Sequence, residues 1–121
     1  MKKVILGATG SIGSSLAKSL VSSGDEVHLV GREEASLSSL AKELNSSFTT
    51  CDMLEENFSD KILSDLGGTP INGLAYCVGS IDLKPLKLIK KSDFMQSFNL
   101  NLVSATEIIK SLADNLKTNK G

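Results

Sequence analysis

The chain has 121 residues, of which 40% are hydrophobic and 22% charged, with 13 basic and 14 acidic side chains. This length accommodates one compact domain, and the composition is that of an ordinary globular chain rather than a disordered or fibrous one. The balanced charge gives no electrostatic basis for binding nucleic acid or an anionic membrane. The apolar run behind Lys2 and Lys3 is too short for a signal peptide or a membrane span, so we expect a single cytoplasmic domain over residues 1–121.

Apolar and β-branched runs alternate along the chain with segments whose apolar residues recur at helical spacing. The runs predict four strands, at residues 4–6, 27–30, 48–51 and 74–78. Helical patterns lie between them, and two of these end at the glycine-containing pairs Ser23-Gly24 and Gly67-Gly68. This alternation predicts an α/β fold, with a parallel sheet covered by helices on both faces.

The last helical pattern is the longest. It predicts a helix of about 25 residues, roughly 37 Å at 1.5 Å per residue, with Ser92 as its N-cap. Its apolar stripe consists of Phe94, Phe98, Leu102, Ala105, Ile109, Leu112 and Leu116. Residues 79–92 are the one long connection, and they lie between the fourth strand and this helix.

The stretch GATGSIG places Gly7, Gly10 and Gly13 directly after the first strand and at the start of the first helix. Ligands of parallel sheets bind at the carboxyl ends of the strands, where glycines allow a tight turn and the close approach of a pyrophosphate. The helix that begins at Ser11 adds free N–H groups and the positive end of a dipole. The spacing is neither G-x-G-x-x-G nor a triphosphate loop. The motif therefore predicts a dinucleotide site, with a purely structural turn and close helix packing as the alternative.

The choice of cofactor is indicated at the end of the second strand, which reads LVGRE. An NAD-binding chain carries an acidic residue about 20 residues beyond the glycines, where it binds the ribose 2′-hydroxyl. Here Gly31 occupies that place, and the Arg32 guanidinium can pair with a 2′-phosphate. We therefore expect NADP(H), with NAD(H) bound through Glu33 or Glu34 as the alternative.

The remaining reactive side chains are few. Cys51 and Cys77 show neither metal-ligand nor disulfide spacing, and we expect both to be buried thiols without a functional role. His28, the single histidine, lies in a strand pattern and is interpreted as structural. No metal site is expected.

These motifs together resemble the short-chain dehydrogenases/reductases. The glycine spacing is similar to that of the family's extended and atypical members, and Asp52, followed by Met53, matches the aspartate near the adenine ring. Residues 76–79 match the family's Asn-Asn-Ala-Gly segment but keep only the glycine. Asn99 falls on the catalytic-tetrad asparagine, although Asn101 offers a second candidate, and Asp52 also suits a loop or N-cap position.

The resemblance implies a Rossmann-like sheet of about four strands in the order 3-2-1-4. It also implies a set of cofactor-binding residues at the carboxyl ends of these strands. They are Gly7, Thr9, Gly10, Ser11, Ile12, Gly13, Arg32, Asp52, Met53, Val78 and Gly79.

Family chemistry is hydride transfer between NAD(P) and a carbonyl or alcohol carbon, with proton transfer by a tyrosine that is followed four residues later by a lysine. This chain has no Tyr-x-x-x-Lys, because its only tyrosine, Tyr76, is followed at that distance by Ser80. The resemblance therefore covers residues 1–121 but only the amino-terminal half of a family domain, before its fifth strand.

We expect the dinucleotide-binding portion of an NADP(H)-dependent oxidoreductase that is inactive alone. A non-catalytic dinucleotide-binding or interaction module is the alternative. An uncovered fourth strand and last helix favour a homo-oligomer.

Overall fold

A computed structural model describes residues 1–79 and 83–121; the predicted connection at 79–92 lies partly outside these ranges. Four strands and three helices alternate first, and two further helices flank a π-helical turn. They are β1 (Lys2–Leu6), α1 (Ser11–Ser22), β2 (Glu26–Gly31), α2 (Glu34–Leu44), β3 (Ser47–Thr50), α3 (Phe58–Leu66), β4 (Ile71–Tyr76), a 3₁₀ turn (Leu86–Leu88), α4 (Lys91–Phe98), the π turn (Asn99–Val103) and α5 (Ser104–Thr118).

The four strands form one parallel sheet in the order β3-β2-β1-β4, which confirms the predicted topology. Leu6 at the end of β1 lies opposite Val30 on one side and Tyr76 on the other. The carboxyl ends of β1, β2 and β4 therefore meet at one edge of the sheet, where the chain passes from strand to helix.

The core consists of two apolar clusters, and the predicted helices on both faces of the sheet are confirmed. Successive side chains of a strand point to opposite faces. Accordingly, Val4 and Leu6 pack with Ile62 of α3 and Ile108 of α5. Ile5 between them packs in the other cluster, which includes residues of α1 and α2. Burial on both faces explains why the strands read as nearly continuous apolar runs.

The long carboxyl-terminal helix differs from the prediction in its start and its continuity. It begins at Lys91, so the prediction of Ser92 as N-cap is wrong. The Asp93 carboxylate accepts a hydrogen bond of 2.9 Å from the Lys90 N–H and satisfies one of the free donors at this end. The π turn at residues 99–103 then interrupts the helix. No helix in the described parts of the chain is both long and apolar enough to cross a bilayer.

The buried face of this segment also differs from the predicted stripe. Leu112 of the predicted stripe is fully buried, as is Ile108 outside the stripe, and the small residue Ser104 is buried beside them. Four members of the predicted stripe are instead between 52% and 59% exposed: Phe94, Phe98, Leu102 and Ile109. The segment carries two rows of side chains at helical spacing. The row at positions 104, 108 and 112 is the one that is buried against the sheet. Periodicity alone cannot decide between two such rows.

Candidate functional site: a cleft at the carboxyl ends of the strands

A cleft of about 410 Å³ lies at the edge of the sheet where β1, β2 and β4 end. Five segments line it: the glycine turn after β1, the end of β2, the turn after β3, the turn after β4, and the α4–π turn region. Its residues are Gly7, Thr9, Gly10, Gly31, Arg32, Glu33, Asp52, Met53, Leu54, Cys77, Val78, Gly79, Gln96, Ser97 and Leu100. Eight of the predicted site residues are among them, whereas Ser11, Ile12, Gly13 and Asn99 are not.

The glycine turn begins with a backbone conformation that favours glycine. Gly7 has φ +78°, and its N–H donates a 2.9 Å hydrogen bond to the carbonyl of Val30. A Cβ atom at this position would lie 2.5 Å from the carbonyl oxygen of Cys77, which is too close for any side chain. Gly7 therefore allows β1 to turn between the ends of its two neighbouring strands.

Gly13 and Gly10 differ in what surrounds them. Gly13 is buried in the first turn of α1, and a Cβ there would lie 2.1 Å from the carbonyl oxygen of Gly7. Gly10 lines the cleft, and its nearest atom to an added Cβ is the same oxygen at 3.4 Å. The structural interpretation of the glycines thus applies to Gly13, which provides close helix packing, while Gly10 presents its backbone to the cleft.

The amino terminus of α1 has the electrostatics that an anion requires. The first intrahelical bond runs from the Ser14 N–H to the Gly10 carbonyl, so the N–H groups of residues 11–13 have no partner within the helix. No acidic side chain lies in this first turn. Ser11 and Ile12 are exposed there, just outside the lining of the cleft. The helix therefore offers free donors and a positive dipole end beside Gly10.

The end of β2 contributes a cationic and an anionic side chain to the cleft. Arg32 and Glu33 are both exposed in its lining, and Arg32 forms no ion pair with any residue in the described parts of the chain. Glu34, the other acidic candidate, belongs to α2 and does not line the cleft. A Cβ at Gly31 would lie 3.4 Å from Leu37 Cδ1, which is an ordinary contact.

The turn after β3 places Asp52 in the cleft. One oxygen of its carboxylate accepts a 2.9 Å hydrogen bond from the Leu54 N–H, which fixes the turn. The following helix begins at Phe58 with Asn57 before it, so the interpretation of Asp52 as the N-cap of that helix is wrong. Asp52 is a loop aspartate that faces the cleft.

The two asparagines near the π turn differ in position. Asn99 is exposed and does not line the cleft. Asn101 donates from Nδ2 to the Ser97 carbonyl at 2.9 Å, and its Oδ1 lies 2.9 Å from where a Cβ of Gly79 would be. Asn101, rather than Asn99, therefore contacts the turn after β4.

Several cleft residues do not stand out in the sequence. Cys77, expected to be a buried thiol, is half-buried in the lining, and its place directly before Val78 and Gly79 was a usable signal. Gln96 and Ser97 gave no signal, because only the packing of α4 brings them to the strand ends. Cys51 is buried outside the cleft, and this burial raises the pKa of its thiol to about 11.

His28 lies away from the cleft lining in a hydrogen-bonded chain between β2, β3 and α3. Its Nδ1 is 2.7 Å from Ser47 Oγ, and its Nε2 is 2.8 Å from Thr49 Oγ1, which donates to Asp65. Burial, followed by the charge of Lys2, lowers the pKa of His28 to about 4. The imidazole is therefore neutral at pH 7 and satisfied by two hydroxyl groups, as its structural interpretation predicts.

The chain is similar in sequence to known proteins. The short chain dehydrogenase family model matches residues 2–121. L-xylulose reductase from Bos taurus is 28% identical over 116 residues, which are 95% of this chain and 47% of that protein. The chain thus spans about half the length of such relatives.

Two solved structures have the same fold. L-sorbose reductase from Gluconobacter frateurii, complexed with NADPH and L-sorbose, superposes with a TM-score of 0.90 at 16% identity over 97% of this chain and 48% of its own. A 3-oxoacyl (acyl-carrier-protein) reductase from Agrobacterium tumefaciens with NADP bound superposes with a TM-score of 0.87 at 17% identity. The match covers 98% of this chain and 48% of that reductase. With the family model matching nearly every residue, the chain belongs to the short-chain dehydrogenase family.

Proposed function

We propose that this chain forms the dinucleotide-binding part of an NADP(H)-dependent oxidoreductase that acts on a carbonyl or alcohol substrate. The observation that carries the proposal is one cleft lined by the open backbone of Gly10 and by Arg32, which has no ion pair among the described residues. The free N–H groups of α1 lie directly beside this cleft. A pyrophosphate fits the Gly10 backbone and these N–H groups, and a 2′-phosphate fits Arg32. The cofactor would supply the hydride, and these residues would bind and orient it.

The preference for NADP(H) over NAD(H) rests on the end of β2. Gly31 leaves room and adds no negative charge, while the exposed Arg32 guanidinium can form two hydrogen bonds to a phosphate. Glu33 is the competing residue, because it also lines the cleft and would accept hydrogen bonds from a free ribose hydroxyl. Two structural neighbours support the same choice, since the 3-oxoacyl reductase has NADP bound and the L-sorbose reductase is complexed with NADPH.

For the family's tetrad asparagine, Asn101 is a better candidate than Asn99. Both side chains are exposed, but that of Asn101 lies next to Gly79 and donates to the Ser97 carbonyl, and both of these residues line the cleft. Asn101→Ala is expected to weaken NADPH binding about threefold or more, and Asn99→Ala is the matched control with unchanged affinity.

Titration calorimetry with NADPH and NADH tests the proposed function. We expect tighter binding of NADPH, and Arg32→Ala should weaken it at least about tenfold, because a hydrogen-bonded charge pair contributes about 1.5–3 kcal/mol. Glu33→Gln is the matched control, since it changes the neighbouring charge and keeps the Arg32 guanidinium that is proposed to bind the phosphate. Equal affinity for both dinucleotides in the wild type would overturn the NADP(H) assignment, and no binding of either would overturn the function.

The 121 residues are expected to bind NADPH without oxidising it. They lack the Tyr-x-x-x-Lys pair, and a positioned proton donor contributes about 100- to 10,000-fold to such reactions. Absorbance at 340 nm in the presence of a simple ketone should therefore stay constant. A ketone-dependent decrease above background would show that another group supplies the proton.

A further inference from the structure

The π turn in the carboxyl-terminal helix leaves one backbone carbonyl in need of a partner. The Ser104 N–H donates to the carbonyl of Asn99, five residues back, where an α-helix would direct it to Leu100. The Leu100 carbonyl instead accepts a hydrogen bond of 2.5 Å from the hydroxyl of Tyr76, at the end of β4. A tyrosine side chain thus completes the hydrogen bonding of the interrupted helix.

Ser104 connects the same region to a third segment. Its side chain is buried, and its hydroxyl donates a 2.6 Å hydrogen bond to the carbonyl of Met53. The end of β4, the turn after β3 and the π turn are therefore joined by two hydroxyl groups below the cleft.

Each of these segments supplies part of the cleft wall. Met53 and Leu100 line it themselves, and Cys77 follows Tyr76 directly in the chain. The π turn also comes close to the opposite side, because Asn101 Oδ1 lies 2.9 Å from where a Cβ of Gly79 would be. The width of the cleft between α4 and the strand ends therefore depends on where the π turn lies.

We propose that Tyr76 is a positioning residue, whose hydroxyl fixes the π turn and so holds the Gln96–Leu100 wall at the spacing that the dinucleotide requires. The proposal rests on the dinucleotide-binding function proposed above. Tyr76 occupies the segment in which the family pattern has an asparagine, and its longer side chain reaches the Leu100 carbonyl from the strand. Its proton is engaged by that carbonyl, which separates this role from proton transfer to a substrate.

Tyr76→Phe tests the proposal, because it removes the hydroxyl and keeps the ring. The matched control is Thr69→Val, which removes another partly buried hydroxyl that donates to a carbonyl, that of Leu66, at 2.5 Å. Thr69 lies just before β4, at the opposite end of the strand from the cleft. We expect both variants to lower the urea midpoint of unfolding to a similar extent. Only Tyr76→Phe should raise the dissociation constant for NADPH, by about five- to tenfold.

A second measurement needs no ligand. Amide hydrogen exchange of residues 99–104 should be faster in Tyr76→Phe than in the wild type, and unchanged in Thr69→Val. An unchanged dissociation constant in Tyr76→Phe, or an equal loss in Thr69→Val, would overturn the positioning role. If the wild type binds no dinucleotide, the proposed function fails. Exchange then decides whether Tyr76 fixes the turn, and unchanged exchange in Tyr76→Phe would refute that as well.

Discussion

Gly13 and Gly7 are in contact through their backbones: a Cβ atom at position 13 would lie 2.1 Å from the carbonyl oxygen of Gly7. This contact joins the first turn of α1 to the glycine turn and fixes how close the helix comes to the end of β1. An added Cβ at position 13 would clash with backbone and not with a flexible side chain, so any side chain there must displace the helix or the turn.

Gly13→Ala is therefore expected to destabilise the fold by about 3 kcal/mol, the upper range for overpacking of a core. Gly10→Ala is the matched control, because its Cβ would have an ordinary 3.4 Å contact with the same oxygen. It should change the free energy of unfolding by less than about 1 kcal/mol while weakening NADPH binding at the cleft. Urea unfolding and calorimetry measure the two effects. Equal stability of both variants would contradict the packing role of Gly13.

Gly31→Asp is expected to reverse the cofactor preference. The added Cβ fits beside Leu37, and the carboxylate would repel a 2′-phosphate while accepting a hydrogen bond from a free hydroxyl. NADPH affinity should fall at least about tenfold, and NADH affinity should rise. Gly31→Ala separates the effect of size from that of charge. The assignment fails if alanine and aspartate change the two affinities alike.

The stability of the fold should fall as the pH is lowered through the range in which an unfolded histidine titrates. The folded pKa of His28, about 4, lies below its ordinary value of 6.5. Folding therefore favours the neutral imidazole. The free energy of unfolding that this preference contributes is fully present above pH 6.5 and is lost as the pH falls toward 4. We expect a loss of about 2 kcal/mol between pH 7 and pH 5, above the range where most carboxylates titrate.

Urea unfolding at several pH values measures this loss. His28 is the only histidine of the chain, so His28→Gln, which does not titrate, should make the free energy of unfolding nearly constant between pH 5 and 7. A flat profile in the wild type would show that the buried imidazole is not held neutral. NMR titration of the single imidazole reports the same pKa directly.

Self-association is expected from two exposed features. β4 is an outer strand of the described sheet, and one row of α4 and α5 exposes Phe94, Phe98, Leu102 and Ile109 to at least 52% each. Phe98→Glu should shift a dimer or larger assembly toward monomer, whereas Thr106→Glu, at an exposed polar position, should not. Sedimentation velocity distinguishes them, and a monomeric wild type at high micromolar concentration would refute the prediction.

The sequence by itself determined the sheet and most of one side of the cleft. Strand runs, helical spacing and glycines at helix ends are local features, so the elements and the places of Gly7, Gly10 and Arg32 followed from patterns. The order β3-β2-β1-β4 and the place of Asp52 followed from the family resemblance. Residues that follow a strand in a parallel sheet must lie at its carboxyl edge, whatever the details of packing.

Only the tertiary structure decided the opposite wall of the cleft. A regular helical period cannot reveal a π turn, and this turn contains Leu100 and Asn101, which lie near the strand ends. The turn is stable in this place because its carbonyl finds the Tyr76 hydroxyl, from a residue 24 positions earlier in the chain. Hydrogen bonds between distant segments depend on how helix and sheet pack together, and this information is not contained in any local stretch of sequence.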